Sequence, residues 1–320
     1  MLKVAVIGAG NISGAHIPAW ESMDHVELVA VCDLLQEKLD KYPHIRGYQD
    51  FDELLDKEKP DIVDICLPTD LHAEYAIRAM ERGIHAICEK PISLKQEMVA
   101  RVYETARKNH VNFMVAQVLR FWPEYAILKD LVDSRKYGRV ISGYMCRLGG
   151  MPLPPHWMGY EERSGLIPFD LHVHDLDFMI YCFGIPTKVD ARRIKLTEQD
   201  CMQAIYEYPD FFINAEAAGY KAPLGFSARY RFQFENALLV YENNVCTLYE
   251  PGGKSTVLEF NAENGTTPGN LPLSNAFANE LIYFAKCVEE GVFPDKIKEE
   301  EVRAVIGILE SQIRSYGAVD

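Results

Sequence analysis

The sequence predicts an α/β protein in two parts. Residues 1–119 read as a doubly wound parallel sheet, and residues 120–320 as an α+β domain built on mostly antiparallel strands. Three observations carry this. Short apolar runs alternate with helical stretches through the first 118 residues. A glycine-rich turn joins the first apolar run to the first helix. From Thr187 to about Glu250, strand patterns follow one another with no helix between them.

Val4-Ala5-Val6-Ile7 is a run suited to a strand buried on both faces. Gly8-Ala9-Gly10-Asn11-Ile12-Ser13-Gly14 follows, then a helical stretch from about Ala15 to Met23. A second apolar run, Val26 to Cys32, ends in Asp33. Gly8 permits the tight turn, and Gly10 lets the backbone approach a pyrophosphate. Asn11 and Ile12 lead into a helix N-terminus whose N–H groups and dipole favour phosphate. Asp33 is placed to accept hydrogen bonds from ribose hydroxyls. Its charge would repel a 2′-phosphate, and Leu34-Leu35 offers no arginine to bind one, so NAD is expected over NADP.

The alternation continues through a strand at Asp61 to Leu67, ending at Pro68-Thr69. A helix follows at Leu71 to Arg82, with Gly83 suited to its C-terminal cap. The next strand, Ile84 to Cys88, runs into Glu89-Lys90-Pro91. Ligands of open α/β sheets bind beyond the carboxyl ends of the strands, so Lys90 is a cation aimed at cofactor or substrate. Pro91 stops the strand. A helix at about Leu94 to Lys108 and a strand at Val111 to Val118 close the sheet.

After Arg120 the pattern changes. Arg139 to Leu148 reads as a strand and Leu166 to Phe183 as a helix. In Phe226 to Phe234, aromatic and small residues alternate with Ser227, Arg229, Arg231 and Gln233, as in a half-buried antiparallel strand. Such a sheet has one face left to cover, and a second subunit is one solution. Helices are expected at 275–290 and 298–316, the latter with Val302, Val305, Ile306, Leu309 and Ile313 on one side.

Composition narrows the function. A hydrophobic share of 48% and a charged share of 25% are those of a globular protein. A net charge of −14 argues against nucleic acid and anionic membranes, and no apolar run could span a bilayer. Leu2-Lys3-Val4 already begins a strand, so no signal peptide is expected. The eight cysteines form no C-x-x-C motif; reduced thiols in a cytoplasmic protein are the expectation.

The tract Asp170-Leu171-His172-Val173-His174-Asp175-Leu176-Asp177 opens the predicted 166–183 helix. At 100° per residue, Asp170, His174 and Asp177 fall within about 60° of one another. Asp170 and His174 are an i, i+4 pair, and a histidine beside a carboxylate is the usual general acid–base arrangement. A capped, acid-rich helix start would leave the same pattern. His172-x-His174 with aspartates has metal-ligand chemistry, but on a helix the two rings diverge, and no metal is expected.

Together these residues resemble the Gfo/Idh/MocA oxidoreductases, along essentially the whole chain. The resemblance rests on Gly8-Ala9-Gly10…His16, Pro68-Thr69-x-x-His72, Glu89-Lys90-Pro91 and Asp170-x-x-x-His174-x-x-Asp177. It implies an N-terminal Rossmann domain and a C-terminal domain with a large, predominantly antiparallel sheet. Lys90, Asp170 and His174 match the family's catalytic lysine, aspartate and histidine. Pro68, Thr69 and His72 match positions lining the cofactor cleft, with Leu67 and Glu89 beside them in the cofactor-binding set. Ser13 departs from the third glycine of the fingerprint, and Leu166 and His172 replace glycines near the acid–base residues.

The function expected is NAD-dependent interconversion of a secondary alcohol and a ketone on a sugar, sugar derivative or cyclitol. Arg120, Trp157 and Tyr160 are candidate substrate contacts. Two alternatives stay open: an enzyme with tightly held NAD that oxidises its substrate transiently, and a dinucleotide-binding sensor without turnover. A homodimer or homotetramer is implied by the family and the one-sided sheet.

Overall fold

The structure is a computed structural model that describes residues 1–260 and 274–315, with side chains described to residue 311. It divides into two compact units: residues 1–118 with 274–303, and residues 119–260 with those from 304 onward.

The first unit runs β1 (Leu2–Ile7), α1 (Ser13–Glu21), β2 (Val26–Cys32), α2 (Gln36–Leu39), β3 (Arg46–Tyr48), α3 (Phe51–Glu58), β4 (Ile62–Ile65), α4 (Thr69–Met80), β5 (His85–Glu89), α5 (Gln96–Lys108) and β6 (Phe113–Ala116). The six strands form one parallel sheet in the order β3-β2-β1-β4-β5-β6. The order reverses between β1 and β4, the switch point where such sheets bind ligands. Val4, Ala5 and Val6 are wholly buried because helices cover both faces of the central strand. In α5 the buried set Val99, Val102, Tyr103 and Ala106 has the spacing of one helix face.

Between Asp33 and Asp61 the sequence pattern predicts no element, yet α2, β3 and α3 lie there. The start of α3 did carry a signal: the Asp50 side chain caps it by accepting the Glu53 N–H at 2.7 Å.

The second unit contains α6 (Pro123–Ser134), β7 (Val140–Gly150) and α7 (Glu161–Ser164). A π-helical turn (Pro168–His172) runs into α8 (Val173–Phe183). Then come β8 (Lys188–Leu196), β9 (Gln199–Glu207), β10 (Phe212–Tyr220), β11 (Ser227–Phe234), β12 (Ala237–Glu242), β13 (Val245–Glu250) and β14 (Lys254–Leu258). They form an eight-stranded sheet, β14-β13-β12-β11-β7-β10-β9-β8, antiparallel except where β7 meets β10. Tyr230, Phe232 and Phe234 of β11 are buried while Arg231 and Gln233 are exposed, which gives the sheet one apolar and one polar face.

Helices α9 (Ala276–Glu290) and α10 (Glu299–Ser315) follow. Helix α9 packs on α1, so it belongs with the first sheet. Val302, Val305, Ile306 and Leu309 are buried on α10; the Ile313 side chain and Tyr316 lie outside the described residues. All eight cysteines are free thiols. Among the described residues no helix is long and apolar enough to cross a membrane.

Candidate active site

At the C-terminal edge of the six-stranded sheet, Gly8 has φ +101°, and a Cβ there would lie 2.5 Å from the Cys66 carbonyl oxygen. Only glycine fits. Gly10 faces open space on its Cβ side, as close approach of a ligand requires. Asn11 is exposed and Ile12 half-buried at the entry to α1. Ser13, in place of the third glycine, is buried and donates its hydroxyl to the Gly10 carbonyl at 2.8 Å. The substitution therefore ties the turn instead of crowding it.

Asp33 closes the cradle. Its Oδ2 accepts the Ala9 N–H at 2.9 Å and its Oδ1 the Leu35 N–H at 3.0 Å. Lys38 Nζ lies 3.2 Å from Oδ2. This cation, five residues beyond Asp33, was missed in the sequence; it sits beside the Asp33 carboxylate.

At the ends of β4 and β5, the buried His72 ring spans two carbonyls, Pro91 O at 2.8 Å from Nδ1 and Leu67 O at 2.6 Å from Nε2. Burial lowers its pKa, although both carbonyls act in the other direction. The ring ties the Leu67-Pro68-Thr69 segment to the turn that carries Lys90. Lys90 is half-buried, its peptide bond to Pro91 is cis, and its backbone N–H donates to Glu89 Oε2 at 3.0 Å. The sheet edge thus gathers Gly8, Gly10, Asn11, Ile12, Asp33, Leu67, Pro68, Thr69, His72, Glu89 and Lys90.

Beneath this edge lies a buried cluster in which His16 meets two side chains far from it in the sequence. The donor atoms of His16, Asp64 and Cys66 lie within 4.8 Å of one another. That is a metal-site composition, but Asp64 Oδ2 already accepts Trp20 Nε1–H at 2.7 Å and faces His16 Nδ1 at 2.8 Å. Burial, followed by Asp64, pushes the Cys66 thiol up to about 12, so it stays protonated. The cluster is hydrogen-bonded within itself and to Trp20.

In the second unit the acid–base tract is sorted by depth. His172, Asp175 and Asp177 are buried; Asp170 and His174 are half-buried. Asp175 pairs with Arg147 at 2.8 Å, and Arg147 also donates to the Tyr125 hydroxyl at 3.0 Å. Asp177 pairs with Arg120 through two contacts, 2.8 Å from Nε and 2.5 Å from Nη2. Helical arithmetic puts Asp177 with Asp170 and His174; the fold commits it inward. The Arg120 guanidinium is wholly buried, bidentate to Asp177 and 4.7 Å from the centre of the Tyr181 ring, which ties it to α8.

Trp157 opens a short 3-10 turn and is half-buried, and Tyr160 is 37% exposed. Glu161 beside them is anchored by Arg193 at 2.9 Å and by Lys195. Leu166 takes φ +54°, a left-handed backbone that suits the glycine it replaces, with its side chain buried as compensation.

His172 fills the core. Its Nε2 lies 2.5 Å from the Tyr206 hydroxyl and its ring stacks on that tyrosine. Burial, then the nearby Arg147, depresses its pKa to about 3. The neutral ring is favoured in the fold, so its contribution is complete above the usual 6.5 and is lost as pH falls. Unfolding free energy should drop by about 1.4 kcal/mol per pH unit from this group as pH falls from about 6.5 toward 3. Urea titrations at several pH values should show that slope in the native chain and not in His172→Phe; equal slopes would refute the assignment.

The family described as oxidoreductase, with an NAD-binding Rossmann fold, matches residues 2–117, and the GFO/IDH/MocA C-terminal domain matches residues 125–250. The chain belongs to the Gfo/Idh/MocA oxidoreductase family. Among its relatives, D-glucoside 3-dehydrogenase of Escherichia coli is 31% identical over 63% of this chain and 61% of its own length. Myo-inositol 2-dehydrogenase of Thermotoga maritima is 28% identical over 57% of this chain and 55% of its own. Inositol 2-dehydrogenase of Rhizobium meliloti is 25% identical over 91% and 89%. The chain thus spans little more than half the length of the first two. In fold it is similar to a levoglucosan dehydrogenase solved with NADH and levoglucosan, with TM-score 0.85 at 19% identity over 98% of this chain and 96% of that one. A dehydrogenase from Chromobacterium violaceum gives TM-score 0.85 at 17% identity over 98% and 94%.

Proposed function

We propose that this Gfo/Idh/MocA protein interconverts a secondary alcohol and a ketone on a sugar, sugar derivative or cyclitol, using NAD. The observation that carries this reading is the placement of Lys90. It stands at the C-terminal end of β5, one strand from the switch point, on a turn tied down by Glu89 and His72. The Gly8–Gly10 cradle and Asp33 fit a dinucleotide: the turn N–H groups and the start of α1 would hold the pyrophosphate, and Asp33 would accept from the ribose hydroxyls.

When bound, NAD supplies the hydride acceptor, and the protein positions and polarises the substrate. His174 takes the hydroxyl proton in the oxidative direction and returns it in the reductive one. Lys90 donates a hydrogen bond to the same oxygen, stabilising the negative charge that develops there. Asp170 holds a neighbouring hydroxyl and orients the substrate. Trp157 and Tyr160 offer aromatic surface to the C–H face of a sugar. The protein acts in the cytoplasm as a homo-oligomer, and the polar face of the eight-stranded sheet is the surface proposed to meet a second copy.

Absorbance of reduced nicotinamide, followed with NAD and a panel of glucosides, anhydrosugars and inositols, tests the reading. Substrate-dependent NADH formation is expected. Conversion without added NAD or net NADH would replace it with transient oxidation by tightly held cofactor, and NAD binding without any conversion would indicate a sensor.

NAD is proposed over NADP because the Asp33 carboxylate, at the end of β2, would repel a 2′-phosphate. The nearby Lys38 makes that choice depend on one carboxylate. Asp33→Ser should lower the ratio of kcat/KM for NAD over NADP at least tenfold, since it removes the repulsion and leaves Lys38 available to a 2′-phosphate. An unchanged ratio would take away the basis of the assignment.

A further inference from the structure

We propose that His16 is a positioning residue for Lys90: clamped between Asp64 and Glu89, it fixes the carboxylate that receives the Lys90 backbone N–H. The inference deepens the reading of Lys90 given above and rests on it.

The chain of contacts crosses the sheet beneath the cofactor edge. Trp20 Nε1–H donates to Asp64 Oδ2 at 2.7 Å, and His16 Nδ1 lies 2.8 Å from the same oxygen. His16 Nε2 lies 3.2 Å from Glu89 Oε1, an ion-pair contact outside hydrogen-bond alignment. Glu89 Oε2 then accepts the Lys90 N–H at 3.0 Å. His16, Asp64 and Trp20 are wholly buried and Glu89 is 7% exposed.

Two buried carboxylates on adjacent strands favour a cation between them. The imidazolium of His16 is that cation in this arrangement. It faces Asp64 and Cys66 from the end of β4, Glu89 from β5, and the Phe277 ring of α9 at 5.7 Å. His72 on α4 shares the electrostatic environment of Glu89 and Lys90, and buried Glu280 lies one turn beyond Phe277. Burial pulls the His16 pKa down, but the charge of Asp64 outweighs it and holds the pKa well above 6.5. The proton is therefore retained at neutral pH. The clamp is complete below the usual 6.5 and is lost as pH rises through the raised value. Without it, Glu89 loses the buried cation that faces its Oε1, and the acceptor of the Lys90 N–H is held less firmly.

Two measurements test this on the full chain. In histidine-selective 15N spectra of the native protein, the His16 imidazole should be doubly protonated at pH 7; a neutral ring there overturns the proposal. In steady-state kinetics, His16→Asn should lower kcat at least tenfold with NADH affinity changed less than threefold, and a kcat within twofold of native overturns it. Should that variant not fold, Asp64→Asn keeps an acceptor for Trp20 and His16 but removes the charge that retains the proton. It should move the alkaline limb of the kcat–pH profile toward neutrality by at least one unit, which a packing role would not do; an unmoved limb overturns the clamp. Lys90→Ala separates the two ideas. If it turns over like the native protein, the reading of Lys90 falls; if it is inactive while His16→Asn and Asp64→Asn behave as native, only the clamp falls.

Discussion

Lys90→Ala is expected to reduce kcat by roughly 10²–10³, the loss typical of removing one preorganised donor from a developing oxyanion. His174→Ala is expected to reduce it by about 10²–10⁴, the range for a positioned general base. Both proposed roles act on one oxygen and its proton. If Lys90 polarises the oxygen while His174 removes the proton, deleting either leaves the other with little to do. The double variant should therefore fall no further than about the worse single, not by the product of the two losses. NADH affinity should change little in His174→Ala, because His174 belongs to α8 and not to the Gly8–Asp33 cradle. Lys90→Arg should not rescue, since a planar fork does not reproduce a point-charge donor. Single-turnover kinetics and NADH fluorescence check each statement. Turnover within a few-fold of native in either alanine variant would remove that residue from the chemistry.

Legibility in the sequence followed the range of the interaction. The first β-α-β unit was readable because its signals are local: Gly8 and Asp33 stand at the ends of strands that their own neighbours define. The alternation in β11 gave its buried face for the same reason. The segment from 34 to 60 was not readable. Its helix α2 has four residues and β3 three, too short for a periodicity to emerge, although Asp50 marked the start of α3. Within the candidate site, the sequence could bring Asp170, His174 and Asp177 to one side of a helix, but a helical wheel has no depth. What separates Asp177 from the other two is Arg120, 57 positions away. His172 appeared as a substitution for glycine, while its fit depends on Tyr206, 34 positions on. His16 was visible as part of a motif on α1, and its partners Asp64 and Glu89 arrive from β4 and β5. Side-chain chemistry was legible; which buried charges would meet was not.

The Arg120–Asp177 pair should make the sharpest stability test. Both side chains are essentially inaccessible to water, so neither charge can be resolvated when the other is removed. Arg120→Ala or Asp177→Ala alone should each cost about 3–5 kcal/mol, because each leaves an uncompensated buried ion. Replacing both by apolar residues of similar volume, Arg120→Met with Asp177→Leu, should recover most of that loss, since the desolvation cost leaves together with the attraction. In urea the singles should shift the midpoint at nearly constant m, and the double should move back toward native. The same variants decide what Arg120 does. A substrate-binding arginine would raise KM on conversion to lysine and leave unfolding nearly unchanged. A buried partner of Asp177 predicts the reverse, with Arg120→Lys destabilised by loss of the bidentate fork. Because Asp177 is three residues from His174 on α8, loss of the pair should also lower kcat by loosening the helix that carries the proposed base. If the singles cost less than 1 kcal/mol, the ion pair is not what holds α8 in place.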